Sequence, residues 1–375
     1  MRYKMNNTQA SELYYAVIRN FYMDDVPGFR EFAPARQEDR KTCYLWSYFA
    51  AAGMMYRACK AGMDILPFYR TVIEGLRFYR SAPMGDGMIK YHSERGDAYD
   101  TGCGPCFFDD NIWVARNYLF AYEILEDRFY LDEACRIVKY IYTGWNEELG
   151  GLVWNENGLT PDGTEQELER GLSANGCCII VNALLYQLTG REDYLAWAHR
   201  FYDFCKTTQD PESGIYYNGV HTLIADGRRV AGEVNKDLYG YNTGSMILAD
   251  LLLYEITKDK SYYQDAIRSA AAAHKAFLRF DEISGCFYYK DFVWFTAVLA
   301  EGYAALAVYD SEAAGPYMET LEQSLDYSLS VFCKDTGLLP HDYVTGWRNN
   351  DDYDRMLLTH CGTAEIAFLL EAVDI

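Results

Sequence analysis

Ile124-Leu125-Glu126-Asp127-Arg128-Phe129-Tyr130-Leu131-Asp132-Glu133-Ala134 is a stretch that the chain uses more than once. It returns as Leu188-Thr189-Gly190-Arg191-Glu192-Asp193-Tyr194-Leu195-Ala196-Trp197-Ala198 and again as Ile256-Thr257-Lys258-Asp259-Lys260-Ser261-Tyr262-Tyr263-Gln264-Asp265-Ala266. Each copy reads as an apolar helix end, a short polar turn, and an aromatic residue that opens the next helix. The aligned Tyr130, Tyr194 and Tyr262 stand 64 and 68 residues apart, and weaker copies surround Tyr69 and Tyr317. Self-similarity at such a period is the signature of a repeat architecture.

A second motif alternates with the first: a glycine followed by apolar residues and usually an aromatic. Gly151-Leu152-Val153-Trp154, Gly214-Ile215-Tyr216-Tyr217 and Gly285-Cys286-Phe287-Tyr288 are its clear members, with Gly87-Met88-Ile89-Lys90-Tyr91 and Gly337-Leu338-Leu339 as outer ones. Glycine permits the turn, and the residues after it suit a short extended segment. Helix-period stretches between these signals predict helices near 8–22, 41–59, 66–80, 110–126, 129–142, 173–189, 192–206, 241–257, 260–278, 292–309, 314–331 and 357–372. Twelve helices make six hairpins, and a unit of roughly 65 residues used about six times fits paired helices in a closed ring. The expected fold is all-α, an (α/α)6 toroid of six helical hairpins occupying residues 1–375 as one catalytic domain. An open solenoid would need shorter repeats and polar capping helices. The long glycine-aromatic loops are expected to form the working face.

Composition narrows the function. Of 375 residues 50% are hydrophobic and 16% aromatic, with 34 Tyr against 7 Trp. Tyrosine suits surfaces that are covered yet wet, as sugar-binding clefts are. A formal net charge of −21 repels nucleic acid and anionic lipid, so neither is an expected partner. No window of 18 apolar residues stands out as a membrane span. The 11 cysteines form no small-scaffold pattern, and the first 20 residues do not read as a signal peptide. A cytoplasmic, monomeric protein with reduced thiols is expected; a chain trimmed of a leader would instead be secreted.

The chemistry is expected at Phe107-Phe108-Asp109-Asp110-Asn111-Ile112-Trp113, where a long loop becomes a helix. Neighbouring side chains diverge by about 100° in a helix, so two adjacent carboxylates converge only where a helix start leaves the backbone irregular. A plain helix cap is the bland reading of an Asp-Asp pair; the flanking aromatic residues favour a pocket. Paired carboxylates serve glycoside hydrolysis, in which a retaining enzyme places nucleophile and acid/base about 5–5.5 Å apart. Burial and like-charge repulsion then separate their pKa values.

This segment resembles the aromatic-aromatic-Asp-Asp-x-x-Trp motif of glycoside hydrolase family 76, the α-1,6-mannanase family, which is built on an (α/α)6 toroid. Gly150-Gly151-Leu152-Val153-Trp154-Asn155, Ser173-Ala174-Asn175 and Tyr241-Asn242-Thr243-Gly244 are similar to further family motifs in the same order. The resemblance covers roughly residues 40–310. It implies Asp109 as nucleophile and Asp110 as general acid/base of a retaining hydrolase acting on α-1,6-linked mannose. It also implies substrate contacts from Trp154, Asn155, Asn175, Tyr241 and Asn242. Asn111 departs from a frequent family Glu, and Thr243 from a frequent Gln.

Tyr217, Tyr288 and Trp347 join the expected substrate-binding set because they fall on working-face loops. The expected partner is a mannose-containing oligosaccharide or polysaccharide, with no cofactor and no metal. None of His92, His199, His221, His274, His341 and His360 shows metal-ligand spacing. Cys103-Gly104-Pro105-Cys106 has the thioredoxin spacing without the α/β context, so a structural turn is expected there. Asp351, Asp352 and Asp354 read as a solvated acidic cluster. Two alternatives stand beside the hydrolase: a sugar 2-epimerase on the same toroid, which usually needs histidine bases, and a toroid that binds glycans without cleaving them.

Overall fold

The computed structural model describes residues 7–156, 169–226, 228–331, 336–339, 344–345 and 355–373. Twelve α-helices occur among them: α1 Asn7–Phe21, α2 Leu45–Lys60, α3 Leu66–Gly75, α4 Phe108–Leu125, α5 Arg128–Thr143, α6 Leu172–Thr189, α7 Glu192–Lys206, α8 Gly240–Thr257, α9 Lys260–Phe277, α10 Val293–Tyr309, α11 Ser311–Val331 and α12 Leu357–Ala372. Nine short strands accompany them: β1 Tyr22–Met23, β2 Gly28–Phe29, β3 Phe32–Ala33, β4 Arg170–Gly171, β5 Gly219–Ala225, β6 Arg228–Asn235, β7 Leu278–Asp281, β8 Cys286–Tyr289 and β9 Arg355–Met356. All described strand pairings are antiparallel, β3 with β9 joining distant parts of the chain, so no parallel sheet competes with the helices.

The repeated turn has a common geometry. Helices α4, α6 and α8 each end on a left-handed residue, Glu126 (φ 53°), Gly190 (φ 67°) and Lys258 (φ 61°). In each, the N–H of that residue returns to the carbonyl four residues back, on Tyr122, Tyr186 and Tyr254. Only Gly190 adopts this conformation without a Cβ penalty. In two of the three turns the next residue caps the following helix: Asp127 accepts from the Phe129 amide, and Asp259 accepts from the Ser261 amide.

The chain divides into two compact units, residues 77–269 and residues 1–76 with 270–375. In the first, α4, α6 and α8 pack in series, with α5 against α4 and α7 against α6. In the second, α2, α12 and α10 pack in series, and α1, α3 and α11 lie against them. The helices of these two series are buried on most of their circumference, whereas α5 and α7 bury one stripe. Helix α6 illustrates the difference. Its 18 residues are long and apolar enough to cross a membrane, contrary to the expectation that no such window exists, yet most of it is buried against α4, α7 and α8.

The two largest departures from the expected helix ends are in α2 and α3. α2 starts at Leu45 rather than near 41, because Glu31 holds the preceding segment extended by accepting from the Tyr44 amide (2.9 Å) while the Cys43 amide donates to the Phe29 carbonyl. α3 stops at Gly75 and continues only as a 3-10 turn, Leu76–Phe78.

The glycine-aromatic loops are tied to the buried helices by one device. The fourth residue of a helix uses its side chain to clamp the backbone of the loop before it. Asn111 of α4 accepts from the Tyr91 amide (2.7 Å) and donates to the carbonyls of Tyr91 (2.9 Å) and Phe107 (2.7 Å). Asn175 of α6 does the same with Leu152 and Gly171. Thr243 of α8 accepts from the Tyr216 amide, and His360 of α12 bonds the backbone of Leu339 and Met356.

Candidate active site

Asp109 and Asp110 both lie in the first turn of α4, and the cap position is Phe107, which makes no side-chain cap bond. The plain helix-cap reading of the pair therefore fails, as does the expectation of irregular backbone: the two carboxylates stand on a regular first turn. The helix N-terminus favours negative charge there.

The loop carrying Trp154 lies antiparallel to the strand-like entry into α4. The Phe108 amide donates to the Trp154 carbonyl (2.8 Å), and the Glu156 amide donates to the Cys106 carbonyl (3.2 Å). The Phe107 and Trp154 rings stack at 4.9 Å. The Trp154 amide in turn donates to the Glu169 carbonyl (3.1 Å). This sets the environment of Asp109, whose carboxylate accepts from the Asp110 amide (2.9 Å), the Ser173 hydroxyl (3.4 Å) and the Trp154 indole.

The two carboxyls are half-buried at their surfaces but closely surrounded by protein. Burial raises Asp109 to about 6, and its hydrogen bonds resist that rise. Asp110 is pushed well above the carboxylate range by burial and then by the charge of Asp109. The pair titrates as a coupled system, with Asp109 ionising first and Asp110 retaining the proton.

Beside Cys106, Lys90 is paired with Glu156 (2.7 Å), which also accepts from Tyr140 (2.9 Å). Cys106 is buried with its sulfur 3.3 Å from His92 Nδ1, and burial pushes its thiol up to about 12. The exposed Cys103 instead points its sulfur at the Arg95 carbonyl (3.8 Å). The tetrapeptide is thus a structural turn whose two thiols serve different neighbours, and a thiol held so far up lacks the thiolate that redox exchange requires.

Near Ser173 the wall consists of amides. The Leu172 amide donates to the Asn218 carbonyl (2.8 Å). Asn218 Oδ1 accepts from the Tyr241 hydroxyl and Asn242 Nδ2, both at 3.2 Å. Its Nδ2 donates to Glu169 (2.8 Å), as does Asn235 Nδ2 (3.1 Å). Trp154, Ser173 and Tyr241 therefore belong to one connected neighbourhood with Asp109.

Three other expected substrate contacts, Asn155, Asn175 and Asn242, are corrected because they are buried. Asn175 is 0% exposed and spends its amide on backbone, so it cannot meet a sugar. Asn155 is buried under the bridge to Phe107. Asn242 is buried and reaches Asn218 rather than the open site. Tyr217 donates to Asp210 (2.8 Å) in the Asp210–Gly214 turn. Tyr288 lies on β8 in the other unit. Trp347, His341, Asp351, Asp352 and Asp354 lie outside the described residues. Glu169, Asn218, Asn235 and Ser173 entered no expected set as ligands, because isolated amides and a Glu in a loop carry no spacing signal. Among the described residues no group of three or more His, Cys, Asp or Glu is arranged to hold a metal ion.

The sequence pattern of glycosyl hydrolase family 76 matches residues 7–363. A family 76 mannosidase from Bacteroides thetaiotaomicron has a similar structure, with TM-score 0.82, 20% identity and 98% of each chain covered. The α-1,6-mannanase of Salegentibacter sp. HEL1_6 is similar at TM-score 0.76 and 19% identity, covering 98% of this chain and 99% of that one. Its inactive variant with two consecutive Asp-to-Asn substitutions, in complex with α-1,6-mannotriose, is similar at TM-score 0.74 and 18% identity, with the same coverage. No curated protein sequence matches the chain. The fold class is thus the all-α (α/α)6 class expected from the repeat.

Proposed function

The chain belongs to glycosyl hydrolase family 76 and is a glycoside hydrolase, and from that premise we propose that it cleaves α-1,6-linked mannosides with retention at the anomeric carbon. The observation that carries the reading is the divided pair: Asp109 is held by three donors and ionises near 6, while Asp110 keeps its proton. Ionised Asp109 attacks the anomeric carbon as the glycosidic C–O bond breaks, and Asp110 gives its proton to the departing oxygen. Asp110, now ionised, takes a proton from water, and that water displaces Asp109 and releases the sugar.

The Salegentibacter enzyme supports the assignment, since its inactive form changes two consecutive aspartates and holds α-1,6-mannotriose. Trp154 and Tyr241 would line the substrate site, Trp154 also steadying Asp109. An epimerase would need histidine bases. Of the five described histidines, His92 is engaged with Gly104 and Cys106, His199 with Tyr262, His274 with Tyr289 and His360 with Leu339, while His221 lies half-buried on β5. A purely glycan-binding protein would have no use for two carboxyls driven apart in pKa. The expected single domain, monomeric state and reducing compartment are carried forward with this proposal; the described cysteines are free thiols, as a reducing compartment would have them.

The test is incubation with α-1,6-mannan and α-1,6-mannobiose, with the first-formed anomer followed by NMR. Early α-anomer is expected. Products of inverted configuration, or no cleavage of either sugar, would overturn the proposal.

A further inference from the structure

We propose that Glu169, Asn218, Asn235 and Tyr241 form a hydroxyl-recognising wall of the substrate site beside Asp109, and that Glu169 sets the donor and acceptor sense of that wall. The inference rests on the mannoside reading and adds to it the residues that choose the sugar.

Location is the first argument. Asn218 is tied by its carbonyl to Leu172, whose neighbour Ser173 reaches Asp109. The cluster therefore stands against the residues that hold the expected nucleophile. Ser173, Asn218, Asn235 and Tyr241 are all half-buried, so solvent reaches them, whereas Asn175 and Asn242 behind them are 0% exposed. Burial thus sorts the amides into a buried supporting layer and an accessible one.

Polarity is the second. Glu169 is 9% exposed, and the donors to its carboxylate are the amides of Asn218 and Asn235. Among the described residues it has no ion pair. A carboxylate only accepts, so it forces the nitrogen of both amides towards itself. That fixes Asn218 Oδ1 on the opposite side, where it accepts from Tyr241 and Asn242. The Tyr241 proton is then committed to Asn218. Asn218 keeps a second N–H, and Glu169 Oε2 keeps acceptor capacity. Fixed donors and acceptors of this kind discriminate between sugars, because an analogue lacking the matching hydroxyl leaves them unpaired.

The third argument is the close fit of the backbone. A Cβ on Gly219 would fall 2.5 Å from the Arg170 carbonyl oxygen and 2.9 Å from Glu169 Oε1. β5 reaches this carboxylate only because residue 219 has no side chain, and the register Gly171↔Gly219 and Gly219↔Asn235 brings Glu169 and both asparagines together.

The test uses the full chain silenced by Asp109→Asn with Asp110→Asn, so that binding is read without turnover. Calorimetry would measure α-1,6-mannotriose, methyl α-mannoside and its 2-, 3- and 4-deoxy analogues, with and without Glu169→Gln. We expect Glu169→Gln to weaken mannotriose at least tenfold, and at least one deoxy analogue to lose its penalty in that variant. Tyr241→Phe, which removes one hydroxyl and keeps the ring, should weaken mannotriose at least fivefold and serves if Glu169→Gln does not fold. In the active chain Glu169→Gln should raise KM about tenfold and change kcat less than threefold, the pattern of lost uniform binding. Unchanged affinity in both variants, or deoxy penalties identical with and without Glu169→Gln, would overturn the inference. Failure of the silenced parent itself to bind any mannoside would instead overturn the mannoside reading, and this inference with it.

Discussion

Asn175→Ala should unfold the chain far more readily while leaving sugar affinity nearly untouched. The side chain makes three bonds: it accepts from the Leu152 amide at 2.9 Å and donates to the carbonyls of Leu152 at 3.3 Å and Gly171 at 2.7 Å. Each such bond contributes about 1 kcal/mol net, and an orphaned buried N–H costs about 1–3 kcal/mol more. Loss of the amide therefore costs about 5 kcal/mol, with about 4–6 kcal/mol as the range. Asn111 makes the same three bonds and should cost as much, whereas Thr243→Val removes a single long bond of 3.3 Å and should cost about 1 kcal/mol. Urea unfolding of the three variants, read by tryptophan fluorescence, gives the ranking, and KM on α-1,6-mannobiose gives the functional side. An Asn175→Ala chain within about 0.5 kcal/mol of the parent, with KM raised tenfold, would refute the clamp and restore Asn175 as a sugar contact.

Four further outcomes are expected. Asp109→Asn should lower kcat by several orders of magnitude on every substrate, whereas Asp110→Asn should spare substrates whose leaving group needs no proton, as comparison of aryl and natural mannosides would reveal. The pH profile of kcat/KM should be bell-shaped, rising as Asp109 ionises near 6 and falling as Asp110 loses its proton at higher pH; a profile flat between pH 5 and 8 contradicts the assignment. Both folded-state pKa values lie above the unfolded one, so the stability they confer is full below about pH 4 and is lost as pH rises through about 6. The double Asp-to-Asn chain should accordingly melt above the parent at pH 7, with the gap closing towards pH 4. Trp154→Phe keeps the stack on Phe107 but removes a donor that lowers the Asp109 pKa, so the acid limb should move to higher pH.

Much of this was legible in the sequence because it is periodic. The turn copies around Tyr130, Tyr194 and Tyr262 fall where α4–α5, α6–α7 and α8–α9 join, and the apolar runs fix which helices are buried on most of their circumference. Local signals of this kind need only nearest neighbours. The adjacency of Asp109 and Asp110 was equally visible, since residue type and helix start are local properties. What the pattern could not show is which polar residues face solvent. Asn175 and Asn218 are the same residue type, each near an expected loop, yet one clamps Leu152 behind α6 and the other stands half-buried against Glu169. The difference depends on a strand register linking residues 169–171, 218–220 and 234–235. The split between Asp109 and Asp110 was likewise decided in three dimensions. Both are aspartates with the same intrinsic affinity for a proton, and they part only because Trp154 and Ser173, 45 and 64 residues from Asp109 in the chain, donate to it and leave Asp110 with burial and its neighbour's charge.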